Sequence, residues 1–320
     1  MKKSKMPTAG SIRSYEVLAD TARQGFAAMS PQFQASVQFV LNHPDEVAVS
    51  SMRTIAGRSG VQPATLVRLA QSLGFAGWLE FRQLFVDRLR ARPEPYADKA
   101  RALLAREPTK ELVAEMFRAY RRNLEHTEIQ IGQDLLRAAK ALKRARTVHV
   151  AGFRACYSLA FAFQYVYRLF RRSVTLLGGE GGTLEMQVRA IEPSDAVLVI
   201  SFAPYSNEAR KVAEAAREVG ATVVALTDSV VAPIALHADV RLLFSVSSPS
   251  FFPSQVGGIA AVESLLEMLV LQSGAGSVRQ IAATERQLYQ SGAYEQPSTR
   301  LVRGNPIKRV ARRSPKRPGR

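Results

Sequence analysis

The stretch from Met52 to Phe75, MRTIAGRSGVQPATLVRLAQSLGF, constrains this chain more than any other. Met52, Ile55, Ala56 and Ser59 recur at i, i+3, i+4 and i+7, the spacing of one helical face. Gly60 follows, and glycine turns a chain at positive φ without a Cβ clash. Val61 is placed to plug the gap between two helices. Pro63 falls where a new helix has its first residue and a missing N–H is harmless. Ala64, Val67, Ala70 and Leu73 then recur at threes, with Thr65, Arg68 and Ser72 read onto the opposite face, and Gly74 stops the helix. Helix, glycine turn, helix is the helix-turn-helix pattern. A polar, arginine-bearing second helix suits the major groove of double-stranded DNA. A plain helical hairpin with a solvated face has the same spacing, so the spacing alone leaves both readings open.

Around this hairpin the sequence predicts a small all-α domain over 28–90. Ser30-Pro31 reads as an N-cap and first-turn proline for a helix carrying Phe33, Val37, Val40 and Leu41, and Trp78 to Leu89 reads as a closing helix. Residues 1–27 read as a flexible tail with a partial helix. Arg92-Pro93-Glu94-Pro95 is a stiff break. A helical linker is expected over 91–134, with Leu112, Met116, Tyr120 and Leu124 marking a long amphipathic helix.

From Thr147 the texture changes. β-rich runs at 147–150, 174–177, 196–200, 222–227 and 240–244 alternate with helical ones. Uniformly apolar strands alternating with helices predict a parallel sheet covered on both faces. The fold class is therefore an all-α helix-turn-helix domain followed by a five-stranded parallel α/β sandwich, the latter over 135–275. Ligands in such sheets sit beyond the carboxyl ends of the strands.

Charge is uneven. The 320-residue chain carries a net +17: residues 1–90 contribute +5, residues 91–275 only +3, and residues 276–320 contribute +9. The last segment reads as a disordered basic tail able to add nonspecific phosphate contacts. The start, MKKSKMPTAGSIRSYEVLAD, has no apolar core after its basic residues, so no secretory signal is expected. No run of about eighteen apolar residues is read, so no membrane partner is expected. The lone Cys156 excludes an internal disulfide and suits a reducing cytoplasm. Four scattered histidines, without CxxC or HExxH, give no metal site, and no cofactor is expected.

Two parts fit one pattern. Leu41-x2-Pro44, Met52-x2-Ile55-Ala56, Ser59-Gly60-Val61, Ala64-Thr65-x2-Arg68 and Leu73-Gly74-Phe75-x-Gly77 resemble the helix-turn-helix of the RpiR family of bacterial transcription regulators. Residues 135–275 look like the sugar isomerase (SIS) domain that follows it there. The resemblance covers 28–275. It implies a dimer, or a dimer of dimers, whose SIS domain senses a small molecule, typically a phosphosugar, and changes DNA affinity.

The DNA-binding candidates are Gln62, Thr65, Arg68 and Ser72 on or beside the second helix, with Arg53 directed at backbone phosphate. The effector candidates are Gly152, Arg154, Ser201, Tyr205 and Ser206. Here the chain departs from the pattern. The family's Gly-x-Gly-x-Ser turn reads Gly152-Phe153-Arg154-Ala155-Cys156, and its Ser-x-Ser-Gly-x-Ser/Thr loop reads Ser201-Phe202-Ala203-Pro204-Tyr205-Ser206. Proline deletes an N–H donor, and alanine and cysteine weaken or remove hydroxyl donors. Arg154 restores an anion-binding fork. Three readings stay open: an acidic ligand on Arg154, Ser201 and Ser206; another ligand class beside Tyr205 and Phe153; or a vestigial site that only dimerises. No catalytic residue is assigned, because Glu185, Glu208 and Glu263 lack the histidine partner an isomerase base would want. A nonspecific nucleoid-type DNA-binding protein with a vestigial SIS unit remains the alternative.

Overall fold

Serine caps and first-turn prolines set the start of the chain into helices. The computed structural model describes residue 12 and residues 14–90 and 95–295. The first domain runs α1 (Tyr15–Gly25), α2 (Pro31–Asn42), α3 (Pro44–Val49), α4 (Met52–Arg58), α5 (Pro63–Ser72) and α6 (Trp78–Arg90). Ser30 Oγ accepts from Phe33 N at 3.4 Å and Ser51 Oγ from Thr54 N at 3.2 Å, opening α2 and α4. Gly60, at φ +69°, turns α4 into α5. Val37, Val40, Ile55, Leu66, Leu69, Phe81 and Phe85 are each at most 2% exposed. Each fully buried side chain of this kind contributes about 1.5–3 kcal/mol.

Two expectations about this domain change. Residues 15–25 are not a loose tail: Leu18, Ala19 and Ala22 of α1 enter the same core, and the Tyr15 ring meets Phe85 edge-on at 5.4 Å. Residues 1–11 and 13, expected as part of that tail, lie outside the described residues. The buried stripe of α5 is Thr65, Leu66, Leu69, Ala70 and Leu73, while Ala64 is exposed and Val67 partly so. Spacings of four belong in the stripe alongside spacings of three, because the helix repeats every 3.6 residues. The face therefore rotates by about one residue from the expected one.

The second domain is a sandwich. After α7 (Tyr96–Leu104), α8 (Lys110–Arg144) runs unbroken for 35 residues. Ala119, Asn123, Thr127, Ile131, Ala138 and Leu142 of α8 are buried, so the segment expected as a linker is instead a layer of the sensor. Five parallel strands follow: β1 (Val148–Gly152), β2 (Val174–Leu177), β3 (Ala196–Ser201), β4 (Thr222–Thr227) and β5 (Val240–Leu243). Their order is β2-β1-β3-β4-β5. Alternation divides the side chains between two cores. Ala196, Leu198 and Ile200 of β3 face α8, α9 (Tyr157–Arg168) and α12 (Val256–Ser273). Val197 and Val199 face the layer of α10 (Leu184–Arg189) and α11 (Asn207–Glu218). Burial on both sides is why these strands read as apolar runs.

α12 is long and apolar enough to cross a membrane by length and composition alone, a test that the core helix of a globular domain also passes and that the sequence reading did not count. Its Gly257, Gly258, Ala261, Val262, Leu265 and Leu269 are buried against the sheet layer, as in a core helix. The segment expected as a tail over 276–320 opens with a helix, α13 (Ala275–Gln290). Thr284 Oγ1 of α13 donates to Leu169 O at 2.9 Å. Residues 296–320 lie outside the described residues.

Candidate functional site

The outward surface of the hairpin follows from the helix phase. Ala64, Arg68 and Gln71, at i, i+4 and i+7, stand exposed on α5, with Gln62 exposed at its N-cap. Arg68 Nε donates back to Ala64 O at 3.4 Å, and the side chain is exposed. Arg53 and Thr54 are exposed on α4. Arg58 is engaged inside the domain, ion-paired with Glu46 and set over the Phe39 ring.

Thr65 corrects the sequence reading. It is 2% exposed, and its hydroxyl meets Gln32 Oε1 at 3.5 Å. It lies about 100° around the helix from Ala64, so its methyl packs inward and cannot reach a base edge. Ser72 is half-buried at the rim, its hydroxyl donating to Leu69 O at 2.8 Å. Gln71, which the sequence reading missed, was findable from the i, i+4, i+7 relation to Ala64 and Arg68.

The second cluster lies at the carboxyl ends of β1, β3 and β4. Gly152 is obligatory: a Cβ there would sit 2.5 Å from Cys156 O and 2.7 Å from Ala160 Cβ. Arg154 adopts φ +54°, a left-handed conformation that favours glycine, at the position of the family's second glycine. Its Nη2 donates to Glu208 Oε1 at 3.0 Å, so the guanidinium is held by a carboxylate of the chain itself. Its own α11 N–H first, and then Arg154, hold the Glu208 carboxyl below the ordinary range against burial.

The loop donors are engaged as well. Ser206 N donates to Ser201 Oγ at 3.4 Å, Ala209 N to Ser206 Oγ at 3.0 Å, and Ala203 N to Asp228 Oδ2 at 3.3 Å. Tyr205 turns inward to hydrogen-bond Asp228, and burial first, then Asp228, pushes its hydroxyl pKa up. Burial likewise raises the Asp228 carboxyl. The structure thus brings Gly152, Arg154, Ser201, Tyr205 and Ser206 together, with several of their donors engaged by the chain itself, while Glu208 Oε2 is buried without a hydrogen-bond partner among the described residues. Arg154, expected as an anion-binding fork, therefore has one ion-pair partner within the chain while its side chain stays 74% exposed. Burial pushes the Cys156 thiol up to about 11, which makes it an inert buried hydrophobe.

Comparison with known proteins settles the class. Residues 27–91 match the helix-turn-helix domain model of the rpiR family, and residues 141–272 match the SIS domain model. The chain belongs to the rpiR family. An HTH-type transcriptional regulator of Haemophilus influenzae is 27% identical to it over 207 residues, spanning 64% of this chain and 71% of the relative. The sugar isomerase domain of an RpiR transcription factor from Sphaerobacter thermophilus is 26% identical, with a TM-score of 0.52 over 57% of this chain and 99% of that one. The Vibrio vulnificus NanR protein, in complex with ManNAc-6P, is 17% identical, with a TM-score of 0.50 over 86% of this chain and 99% of that one. That last likeness shows the shared fold. This rpiR-family protein is accordingly a transcription regulator, with a DNA-binding helix-turn-helix reader followed by a SIS domain.

Proposed function

We propose that this rpiR-family regulator, acting as a homodimer in the cytoplasm, reads operator DNA with Gln62, Arg68 and Gln71 of the α5 face. A small-molecule effector on its SIS domain alters that reading. The observation that carries the first half is the outward row Ala64, Arg68, Gln71. Ala64 is small enough to let the helix approach the groove floor. Arginine and glutamine are the side chains that pair bidentately with guanine and adenine edges. Arg53 on α4 serves a backbone phosphate, which positions the reader without carrying sequence information.

The second half is supported by the SIS fold and by the ManNAc-6P held by the structurally similar NanR. A phosphosugar or related small acid is the effector class we assign, and no catalytic role is assigned to the domain.

Gel-shift titration of the full chain tests this reading, using DNA selected from a random pool and a scrambled control at two salt concentrations. A selected sequence bound at least about a thousandfold more tightly than the scrambled one supports it. Equal affinity for both, with a steep salt dependence, would replace it by nonspecific binding driven by the basic C-terminal segment.

A further inference from the structure

We propose that the cleft between the reader and the carboxyl edge of the sheet is a composite effector site. It takes a small acid that also carries hydroxyl or amino donors, with its anion on Arg122 and its donors on Asp228. The inference rests on the reading that the SIS domain senses a small molecule, and adds where that molecule sits and which domains touch it.

The cleft has a volume of about 660 Å³, within the range of small-ligand sites and ample for a six-carbon sugar acid or sugar phosphate. Its walls come from both domains. The reader supplies Asp45 and Arg88, α8 supplies Arg122, and the segments after β4 and β5 supply Asp228, Ser245 and Ser247. Beside α11, Arg154 already has an anionic partner in Glu208. Arg88 is likewise engaged, by Asp45 at 2.6 Å. Arg122 is different: it is exposed, lines the cleft and, among the described residues, forms no ion pair, its charge acting on Glu115, which is itself ion-paired with Arg106. Across the space, Asp228 lines the cleft and accepts from Ala203 N, from Thr227 Oγ1 and from the Tyr205 hydroxyl, bonds that hold its carboxylate in place at the cleft wall. The like charge of Asp45, acting from the reader, adds to burial in raising the Asp228 carboxyl. A donor group inserted between them relieves that opposition.

The floor of the cleft is tied to the reader by one rigid element. Asn123 Nδ2 of α8 donates to Ser247 O at 2.7 Å, Ser245 Oγ donates to Asn123 Oδ1 at 2.8 Å, and Ser245 N donates to Thr127 Oγ1 at 3.0 Å. Two turns along, Gln130 Nε2 donates to Asn42 O at the end of α2. A ligand touching both walls binds one reader–sensor arrangement better than any other. Such differential affinity is what lets a ligand shift that equilibrium, and through it DNA affinity.

Thermal melting of the full chain without DNA tests the site independently of the operator. The probes are glucose 6-phosphate, fructose 6-phosphate, glucosamine 6-phosphate, gluconate, glucose and inorganic phosphate. At least one of the acids that also carry hydroxyls raises the wild-type melting temperature, and glucose and inorganic phosphate alone do not. Arg122→Ala and Asp228→Asn each weaken that probe at least tenfold, and Asp45→Asn in the reader weakens it at least threefold. Because Arg122 is exposed, Arg122→Ala also keeps its ligand-free melting temperature, which separates lost binding from lost folding. A panel without any shift overturns the proposal, as does a shift abolished by Arg154→Ala and untouched by Arg122→Ala. Loss of operator recognition alone strikes the reader and leaves this site standing.

Discussion

Asp195 gathers four hydrogen bonds at the amino edge of the sheet, and replacing it gives a sharp test of how the sheet is held. Asp195 is 2% exposed at the start of β3. Its carboxylate accepts from Thr147 N at 3.1 Å, Glu192 N at 3.0 Å, His149 Nε2 at 3.2 Å and Arg146 Nε at 3.4 Å. His149 in turn meets Thr175 of β2 through Nδ1 at 2.8 Å, so one side chain links the entry points of β1, β2 and β3. Asp195→Ala leaves two backbone donors and a buried imidazole without their acceptor. Removing one partner of a buried charged network costs about 3–5 kcal/mol. At about 3 °C per kcal/mol for a domain of this size, the melting temperature falls by about 9–15 °C. Asp195→Asn, which keeps one acceptor oxygen, falls by less. The assay is thermal melting by circular dichroism, with guanidinium titration as a second measure.

The pH dependence has a fixed sign. Burial raises the Asp195 carboxyl, but the Glu192 N–H, His149 and Arg146 together outweigh it, and the net shift is downward from 3.8. A depressed carboxyl contributes stability above its unfolded pKa and loses it as pH falls through the folded one. The gap between wild type and Asp195→Ala is therefore full near neutral pH and closes below about pH 3.8. A variant melting within 2 °C of wild type at pH 7 would show that the network does not hold the sheet, and the reasoning fails.

Other consequences follow from single sites. A Cβ at Gly257 would lie 2.5 Å from Thr127 Oγ1 and 2.8 Å from Ser245 O, so Gly257→Ala overpacks the α8–α12 junction. It should cost about 1–3 kcal/mol, and an unchanged denaturation midpoint would contradict the packing described. Burial first, and then Arg58, lowers His43 from 6.5 to about 4. The unfolded chain therefore binds the extra proton, and the reader loses stability as pH falls from about 6.5 towards 4. His43→Gln should flatten that slope in melts at pH 7 and pH 5, and an unaltered slope would dismiss His43 as its source. With its thiol near 11, Cys156 should resist iodoacetamide at pH 7.5 until the chain is denatured, and rapid labelling of the native protein would refute its burial.

The strands were the most legible part of the sequence. The runs 174–177 and 222–227 coincide with β2 and β4 to the residue, because apolar β-formers bounded by turn residues leave little room for another boundary. Helix ends were softer. Leu18, Ala19 and Ala22 are too sparse a stripe among the charges of α1 to announce a core helix, and only the completed bundle shows what they pack against. In α5, ten residues span fewer than three turns, so Ala64 and Thr65 fit a periodic pattern almost equally well. The choice between them was made by tertiary packing against α2 and Gln32, which no local spacing contains. Arg154 failed for a related reason. Its partner Glu208 lies 54 residues away and meets it only once α11 is laid beside β1. The positive φ at Arg154 was, by contrast, implicit in its place where the family carries glycine.

The central claim is that α5 presents Arg68 and Gln71 to base pairs and keeps Thr65 inside. Fluorescence anisotropy of the full chain tests it most directly, with the ratio of selected to scrambled DNA affinity measured for wild type, Arg68→Ala, Gln71→Ala and Thr65→Val. Arg68→Ala should lower that ratio by about 5- to 150-fold, the equivalent of about 1–3 kcal/mol of base discrimination. Gln71→Ala should lower it in the same direction, and Thr65→Val should leave it within twofold. A ratio that collapses with Thr65→Val and survives Arg68→Ala would contradict the account at its root.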